Sequence, residues 1–318
     1  MQYRALGRSG LKVSTISLGS WLTFGNSVDQ AMTERIVRRA FERGVNLFDT
    51  ADVYARGAAE EALGKAIAGI DRRRLVLATK CFFPMSDDVN DKGLSRKHIH
   101  ESVHASLRRL RTDYVDLFQC HRPDPETPVL ETVSALDDLI RQGKILYWGV
   151  SMWPASLIRH TTELCDAQGL HRPISNQPPY NLLERGIEHD VIPESSTCGL
   201  AQIVYSPLAQ GVLTGKYTSA ATTDVKVRAG NPKINQFITK WLTKETLKQV
   251  DELKAIARSL SLTPAQVALA FVLHNPGVAS AIVGATSEAQ LDENLSAVGV
   301  TLPAETLGTL QKAFPTRR

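Results

Sequence analysis

Eight times along this chain a short run that is apolar on both parities gives way to a longer segment with apolar residues at helical spacing. The first units read as a strand over residues 13–21 with a helix over 32–44, then a strand over 45–51 with a helix over 58–69. Further strands are expected over 74–81, 114–121, 145–152, 173–180, 201–211 and 278–285. The helices between them fall over 96–110, 128–143, 154–169, 183–199, the pair 244–262 and 264–275, and 287–299, and one over 304–314 closes the chain. Strands apolar on both parities are covered on both faces, as parallel strands are. Strict alternation of this kind specifies an α/β fold with right-handed crossovers. Eight units at this length predict a closed (β/α)8 barrel, a TIM barrel, rather than an open sheet. No GxGxxG follows any strand, so the usual mark of an open dinucleotide-binding sheet is missing.

No composition break marks a second domain, and residues 1–318 are expected to form a single barrel domain; 43% of them are apolar, ample for one large core. The stretch from 217 to 240 is a long connection of weak periodicity, and loops of that length are usually lids or disordered. The formal net charge is +4 with no Lys/Arg block, so neither nucleic acid nor membrane insertion is expected. Cys81, Cys120, Cys165 and Cys198 form no CxxC pair and have no metal-ligand spacing with histidine. They are too sparse for a disulfide scaffold, which favours a reducing compartment. With no apolar leader and no membrane-length apolar run, a cytoplasmic protein is expected.

In such a barrel, chemistry sits where strands end and helices have not begun. The strand within "NLFDTADVY" ends on Asp49, and Tyr54 stands in the loop beyond it. The next strand ends on Lys80 and the one after it on His121. Neighbouring parallel strands lie about 4.8 Å apart, so three successive strand ends span about 10 Å. A lone strand-end aspartate is commonly a helix cap and a lone lysine a surface charge. Four chemically different groups at three successive strand ends are hard to attribute to capping. A phenol with a pKa of about 10 is a poor donor near neutrality, and an ammonium beside it is expected to lower that value. An aspartate would fix the lysine, and a neutral histidine would orient a carbonyl oxygen. Together they make a proton donor to a carbonyl that is becoming an alkoxide. A hydride source is still required.

Those four positions, with "LATK" and "LFQCH" around Lys80 and His121, resemble the aldo-keto reductase superfamily along nearly the whole chain. "GVSMW", "SNQPPYNLL", "YSPLAQGVLTGKY" and "IVGATSEAQLDENL" are similar to the branch containing potassium-channel β subunits and related bacterial reductases. "YRALGRSGLKVSTISLGSW" looks like a hairpin plugging the barrel bottom, followed by the first strand. The resemblance implies Asp49, Tyr54, Lys80 and His121 as the catalytic tetrad, and reduction of aldehydes or ketones with NADPH bound extended across the barrel mouth. By the same resemblance Ser151, Asn176 and Gln177 would hold the nicotinamide carboxamide, Tyr205 would stack under the ring, and Asp49 would adjoin it. Ser206, Pro207, Leu208, Ala209 and Gly211 would line the pyrophosphate path, with Lys216 and Arg228 reaching phosphate oxygens. Gly284, Thr286, Gln290, Glu293 and Asn294 would enclose the adenosine and its 2′-phosphate. Gly19, Ser20 and Trp21 would border the nicotinamide, and Trp21, Tyr54, Phe82 and His121 the substrate. Many members carry basic residues at the places of Ala285 and Gln290; here both are uncharged, as in the channel-subunit branch. Relatives often form homo-oligomers, and the resemblance extends that expectation to this chain.

Other readings bear on the same residues. Ser287 with Gln290 fits a helix capping box, and Tyr205 and Trp21 fit a packed core. "GVLTGKY" is no P-loop, having three residues between its glycines and Tyr217 where Ser or Thr would bind magnesium. A strand-end Lys80 could form a Schiff base in a lyase. A channel-β-subunit-like redox sensor or interaction module with slow turnover would carry the same tetrad. Phe83, Trp153 and Tyr180 could extend an aromatic substrate wall, or belong to the core.

Overall fold

The computed structural model describes residues 1–219, 228–230 and 235–316. A short antiparallel hairpin of β1 (Tyr3–Ala5) and β2 (Lys12–Ser14) comes first. Eight parallel strands then follow: β3 (Ile16–Gly19), β4 (Leu47–Asp49), β5 (Val76–Cys81), β6 (Val115–Cys120), β7 (Ile145–Val150), β8 (Ser175–Asn176), β9 (Ala201–Val204) and β10 (Val278–Val283). β10 pairs with both β9 and β3, which closes the barrel. Between strands run α1 (Gln30–Glu42), α2 (Ala58–Ala66), α3 (Arg96–Leu110), α4 (Val129–Arg141), α5 (Ala155–Gln168), α6 (Val191–Cys198) and the pair α7 (Lys244–Ser259) and α8 (Pro264–His274). α9 (Glu288–Leu295) and α10 (Ala304–Ala313) follow the last strand. The helices start where the chemistry of their first residues asks: Asp29 caps α1 through Met32 N, Ser95 caps α3 through His98 N, and Thr263 with Gln266 forms a capping box on α8.

Alternation along the strands builds two apolar layers. Phe48, Phe118, Trp148 and Val150 face the helices, while Leu47, Val76, Ala78, Leu117 and Ile203 fill the barrel. Leu6 and Val13 of the hairpin join this inner cluster and seal the bottom. The hairpin is tethered there by Arg4, whose guanidinium donates to the carbonyls of Val278 at 2.5 Å and Leu273 at 2.6 Å. With the bottom filled by apolar groups, polar side chains can gather only at the other end.

Several expected elements are shorter than the sequence suggests; the strand expected over 201–211 ends at Val204, and Ala209–Thr214 form 3-10 turns instead. The run 13–21 divides between β2 and β3, because Ser14 pairs into the hairpin while Ile16 to Gly19 enter the barrel. The strand expected over 173–180 is only Ser175–Asn176, since Pro178 and Pro179 have no N–H for the ladder. The helix expected over 183–199 is α6 alone, preceded by a 3-10 turn at Gly186–Glu188. Asn181 explains the delay: its side-chain oxygen accepts from Leu183 N at 2.8 Å and holds a turn. Residues 220–227 and 231–234, half of the connection 217–240 read as a lid or disordered loop, lie outside the described residues. Among the described residues no single helix is long and apolar enough to cross a membrane, and all four cysteines are unpaired and buried.

Candidate active site

The register of β4 to β6 sets the site. Asp49 is level with Ala78 on β5, and Lys80, two residues further along, is level with Gln119 on β6. His121 follows directly, its N–H donating to the Cys81 carbonyl at 3.0 Å. Side chains at these positions point into the barrel above the layer of Ala78 and Leu117. Lys80 is fully buried and Asp49 is 3% exposed.

An ammonium has three N–H donors, and Lys80 Nζ has three oxygens in reach. It donates to Asp49 Oδ1 at 2.7 Å, to the Thr50 carbonyl at 2.7 Å and to the Tyr54 phenol at 3.3 Å. Asp49 Oδ2 accepts from Gln177 Nε2 at 2.8 Å. Ser151 Oγ in turn donates to the Gln177 carbonyl at 2.8 Å. The Tyr54 ring meets His121 edge-on with centroids 5.6 Å apart, and Trp21 lies 6.5 Å from Tyr54. Four strand ends and their loops thus converge on one phenol.

Burial dominates the titration of these groups. It pushes the Tyr54 phenol well above its usual range, the Asp49 carboxylate adding to this and Arg122 opposing it. The sequence-based expectation of a lowered phenol is not met in the resting site, where desolvation outweighs the neighbouring ammonium. Burial also lowers Lys80, against the pull of Asp49. His121 is held well below its usual range, first by burial and then by Lys80 and Arg122, so its imidazole is neutral. The arrangement can therefore hold a proton on Tyr54 and offer a neutral N–H from His121 in one buried corner.

The remaining expected positions divide between mouth, wall and helix. Ser151 and Gln177 line the mouth. Asn176 is fully buried and pairs in register with Val150, whose side chain faces the helices, so strand alternation turns it from Gln177 to the outer face. Ser20 Oγ donates to Thr50 Oγ1 at 2.9 Å and is buried. A Cβ on Gly19 would come within 2.5 Å of Ile282, which explains the glycine by packing between β3 and β10. Tyr205 is partly buried beside Met152, its phenol 3.5 Å from the thioether. Phe83, rather than Phe82, packs its ring on His121, at 4.9 Å between centroids. Trp153 and Tyr180 belong to the core, and the Tyr180 phenol donates to Glu188 at 2.6 Å.

Beyond β9 the backbone itself is unusual. Ser206, Ala209 and Gln210 have φ of 52, 45 and 59 degrees, and Gly211 has 93. Left-handed non-glycine residues cost about 1 kcal/mol or more each, and their concentration points to a functional turn. Successive N–H groups in such turns form concave anion sites. Lys216 adds charge here, its ammonium lying 3.2 Å from where a Gly211 Cβ would be. Pro207 and Ala209 are buried, while Leu208 and Gly211 are partly exposed. After β10, Gly284, Thr286, Gln290 and Glu293 are exposed and Asn294 is buried on α9. Half of the capping box forms: Ser287 accepts from Gln290 N, but the Gln290 side chain reaches Thr286 N at 3.0 Å instead of the cap residue. The side chain of Arg228 lies outside the described residues. A phosphate-bearing cofactor laid from Gln177 past Ser206 to Gly284 would meet amide donors and a cation, so these residues fit such a group.

Sequence reasoning missed Arg122 and Met152, which reach the mouth, and the Thr50 carbonyl. Arg122 was findable as the residue after His121 at a strand end. A backbone acceptor carries no residue-type signal.

A (β/α)8 barrel with an Asp–Lys–Tyr–His cluster at its open end, Tyr54 partly exposed and the other three buried, is the class these features define. Residues 15–314 match the aldo/keto reductase family, and the chain belongs to that family. It is 45% identical to a "Probable voltage-gated potassium channel subunit beta" of Arabidopsis thaliana over 304 residues, 94% of this chain and 92% of the relative. A protein of the same description from Oryza sativa subsp. japonica is 45% identical over 304 residues, with the same shares covered.

Proposed function

We propose that this chain reduces aldehydes or ketones to alcohols with NADPH, Tyr54 supplying the proton. The observation that carries the reading is the three-way donation of Lys80 to Asp49, Thr50 and Tyr54, with His121 against the phenol. NADPH, when bound, supplies the hydride. Tyr54, kept protonated by burial, gives its proton to the oxygen that becomes the alcohol. Lys80 stabilises the phenolate as it forms, through a contact already present at 3.3 Å. Asp49 holds Lys80 in line, and neutral His121 orients the carbonyl oxygen. The turns after β9 and β10 and Lys216 suit the phosphates, while Ser151 and Gln177 suit the carboxamide end.

A Schiff base on Lys80 fits less well, because its three N–H groups are already engaged by two strong acceptors and the phenol. Replacing Tyr54 by Phe should lower reduction of a test aldehyde by at least ~100-fold while fluorescence titration with NADPH stays near wild type. Turnover at the wild-type rate in that variant would discard the assignment. Comparing NADPH with NADH in the same titration tests the cofactor preference.

The relatives named as potassium channel β subunits favour a second reading, in which the same site senses cofactor redox state and the chain docks on a channel. Very slow turnover with tightly retained cofactor, and recovery of a channel complex, would distinguish it.

A further inference from the structure

We infer that the substrate of this site carries a carboxylate, and that Arg122 binds it. The inference rests on the carbonyl-reductase reading above and narrows its substrate class to aldehydes or ketones with an anionic group beyond an apolar or aromatic spacer.

Arg122 follows His121 at the end of β6 and is partly buried at the mouth. Its Nη1 donates to the His121 carbonyl at 2.5 Å and lies 3.4 Å from Ser151 Oγ. The guanidinium stands 5.4 Å from the Phe83 ring centroid, and Phe83 is the ring packed on His121. Arg122 is also close enough to act electrostatically on Tyr54, Lys80, His121 and Tyr205. A guanidinium presents five donors, and only one nitrogen is used here. Among the described residues Arg122 forms no ion pair.

The acidic groups around it are committed elsewhere. Asp49 is held by Lys80 and Gln177. Asp124, two residues on, accepts from Leu94 N at 2.7 Å and Thr127 Oγ1 at 2.8 Å. Asp52 is bonded to Ser102, and Glu184 pairs with Lys240. Among the described residues Arg122 is therefore a cation without a carboxylate partner beside the reacting corner, whereas Lys80 is matched by Asp49. A planar fork at the edge of an aromatic wall is suited to bidentate capture of a carboxylate. The fixed contact to the His121 carbonyl orients that fork from the same residue that orients the reacting oxygen.

The cofactor's phosphates offer another anion, but Lys216 and the turns after β9 already serve that end of the groove. The two assignments separate by experiment. The readout is the ratio of kcat/KM for 4-carboxybenzaldehyde to that for methyl 4-formylbenzoate, which share the ring and aldehyde and differ in the charge and one methyl group. Wild type should favour the acid by ten-fold or more. Arg122→Gln should collapse the ratio to about one, Arg122→Lys should keep part of it, and Arg122→Glu should invert it. A purely structural role would depress both substrates together and leave the ratio standing, which would overturn the inference. So would a wild type that prefers the ester, or a rise in the NADPH dissociation constant of Arg122→Gln equal to its loss of activity. If wild type reduces neither aldehyde, the carbonyl-reductase reading falls separately. Arg122 is then judged by saturable terephthalate quenching of protein fluorescence with NADP+ bound: weakening ten-fold in Arg122→Gln supports it, and equal binding overturns it.

Discussion

Gln177 and Asp49 lie 128 residues apart in the chain and share a 2.8 Å hydrogen bond from Nε2 to Oδ2. The bond ties the segment after β8 to the end of β4 and leaves Asp49 Oδ1 for Lys80 at 2.7 Å. The carboxylate is thus gripped from both sides, and it cannot rotate without releasing either the ammonium or the amide. Orientation of the phenol's partner is consequently set from two distant parts of the barrel as well as by the Thr50 carbonyl of the loop carrying Tyr54.

That grip makes the Asp49–Lys80 pair a thermodynamic liability as well as a tool. Removing one member of a buried pair leaves an uncompensated charge and costs about 3–5 kcal/mol, whereas replacing both by apolar residues is often neutral. Asp49→Leu alone should therefore destabilise strongly, and Asp49→Leu with Lys80→Met should regain most of the loss without regaining activity. Urea denaturation of the two singles and the double checks this. A double variant no more stable than the singles would show that the pair is not isolated from its neighbours.

The barrel and the four-residue cluster are legible in the sequence because both depend on side-chain type, the barrel through its period along the chain and the cluster through the residues at strand ends. Period and length gave eight units, and an apolar run ending on Asp49, Lys80 or His121 is visible without coordinates. The rest depended on phase and on backbone. Phe82 and Phe83 are equivalent in sequence, yet the way the chain leaves β5 decides which ring meets His121. Asn176 and Gln177 likewise differ only by alternation across the sheet. The Thr50 carbonyl would be an acceptor whatever residue stood there. The left-handed run at Ser206, Ala209 and Gln210 breaks the usual preference for glycine and so leaves no residue signature.

A second prediction concerns His121. Burial, Lys80 and Arg122 all hold its pKa well below the ordinary value of 6.5. The native state therefore lacks a proton that the unfolded chain takes up below about pH 6.5, so this group's contribution to stability falls as pH drops beneath that value. In NMR spectra the imidazole signals missing from His121→Gln should show no titration between about pH 6 and 8 in the wild type. A midpoint near the ordinary histidine value would contradict the neutral, orienting role.

A third prediction uses the left-handed end of α3. Arg111 is exposed with φ 57 and ψ 45, the conformation of a helix-terminating residue that glycine adopts without steric cost. Its N–H still reaches the Arg108 carbonyl, so the cap needs no side chain. Arg111→Gly should raise stability by about 0.5–1 kcal/mol, with activity retained. Loss of stability on thermal melting would mean that the arginine contributes contacts outweighing the strain.

The last prediction lies behind Tyr54. Asp52 is buried with Oδ1 accepting from Val53 N at 2.6 Å and Oδ2 from Ser102 Oγ at 2.8 Å. Close by, Glu60 is fully buried, accepting from Thr79 Oγ1 at 2.5 Å and Arg109 Nε at 2.6 Å. Burial, with repulsion from Glu60, raises the Asp52 carboxyl from 3.8 to about 7. A raised acid means that the folded chain keeps a proton which the unfolded chain has released. The carboxyl's contribution to stability is then greatest below about pH 4, falls as pH rises towards 7, and levels off above it. The full fall is at most about 4 kcal/mol from a shift of roughly three units. Asp52→Asn removes the titration, so its stability relative to wild type should grow across that window and stay constant from about pH 7.5 to 9. Chemical denaturation at intervals of pH reads this directly. A difference that does not change with pH would place the Asp52 carboxyl in its ordinary range and remove the proposed protonated acid from behind the phenol.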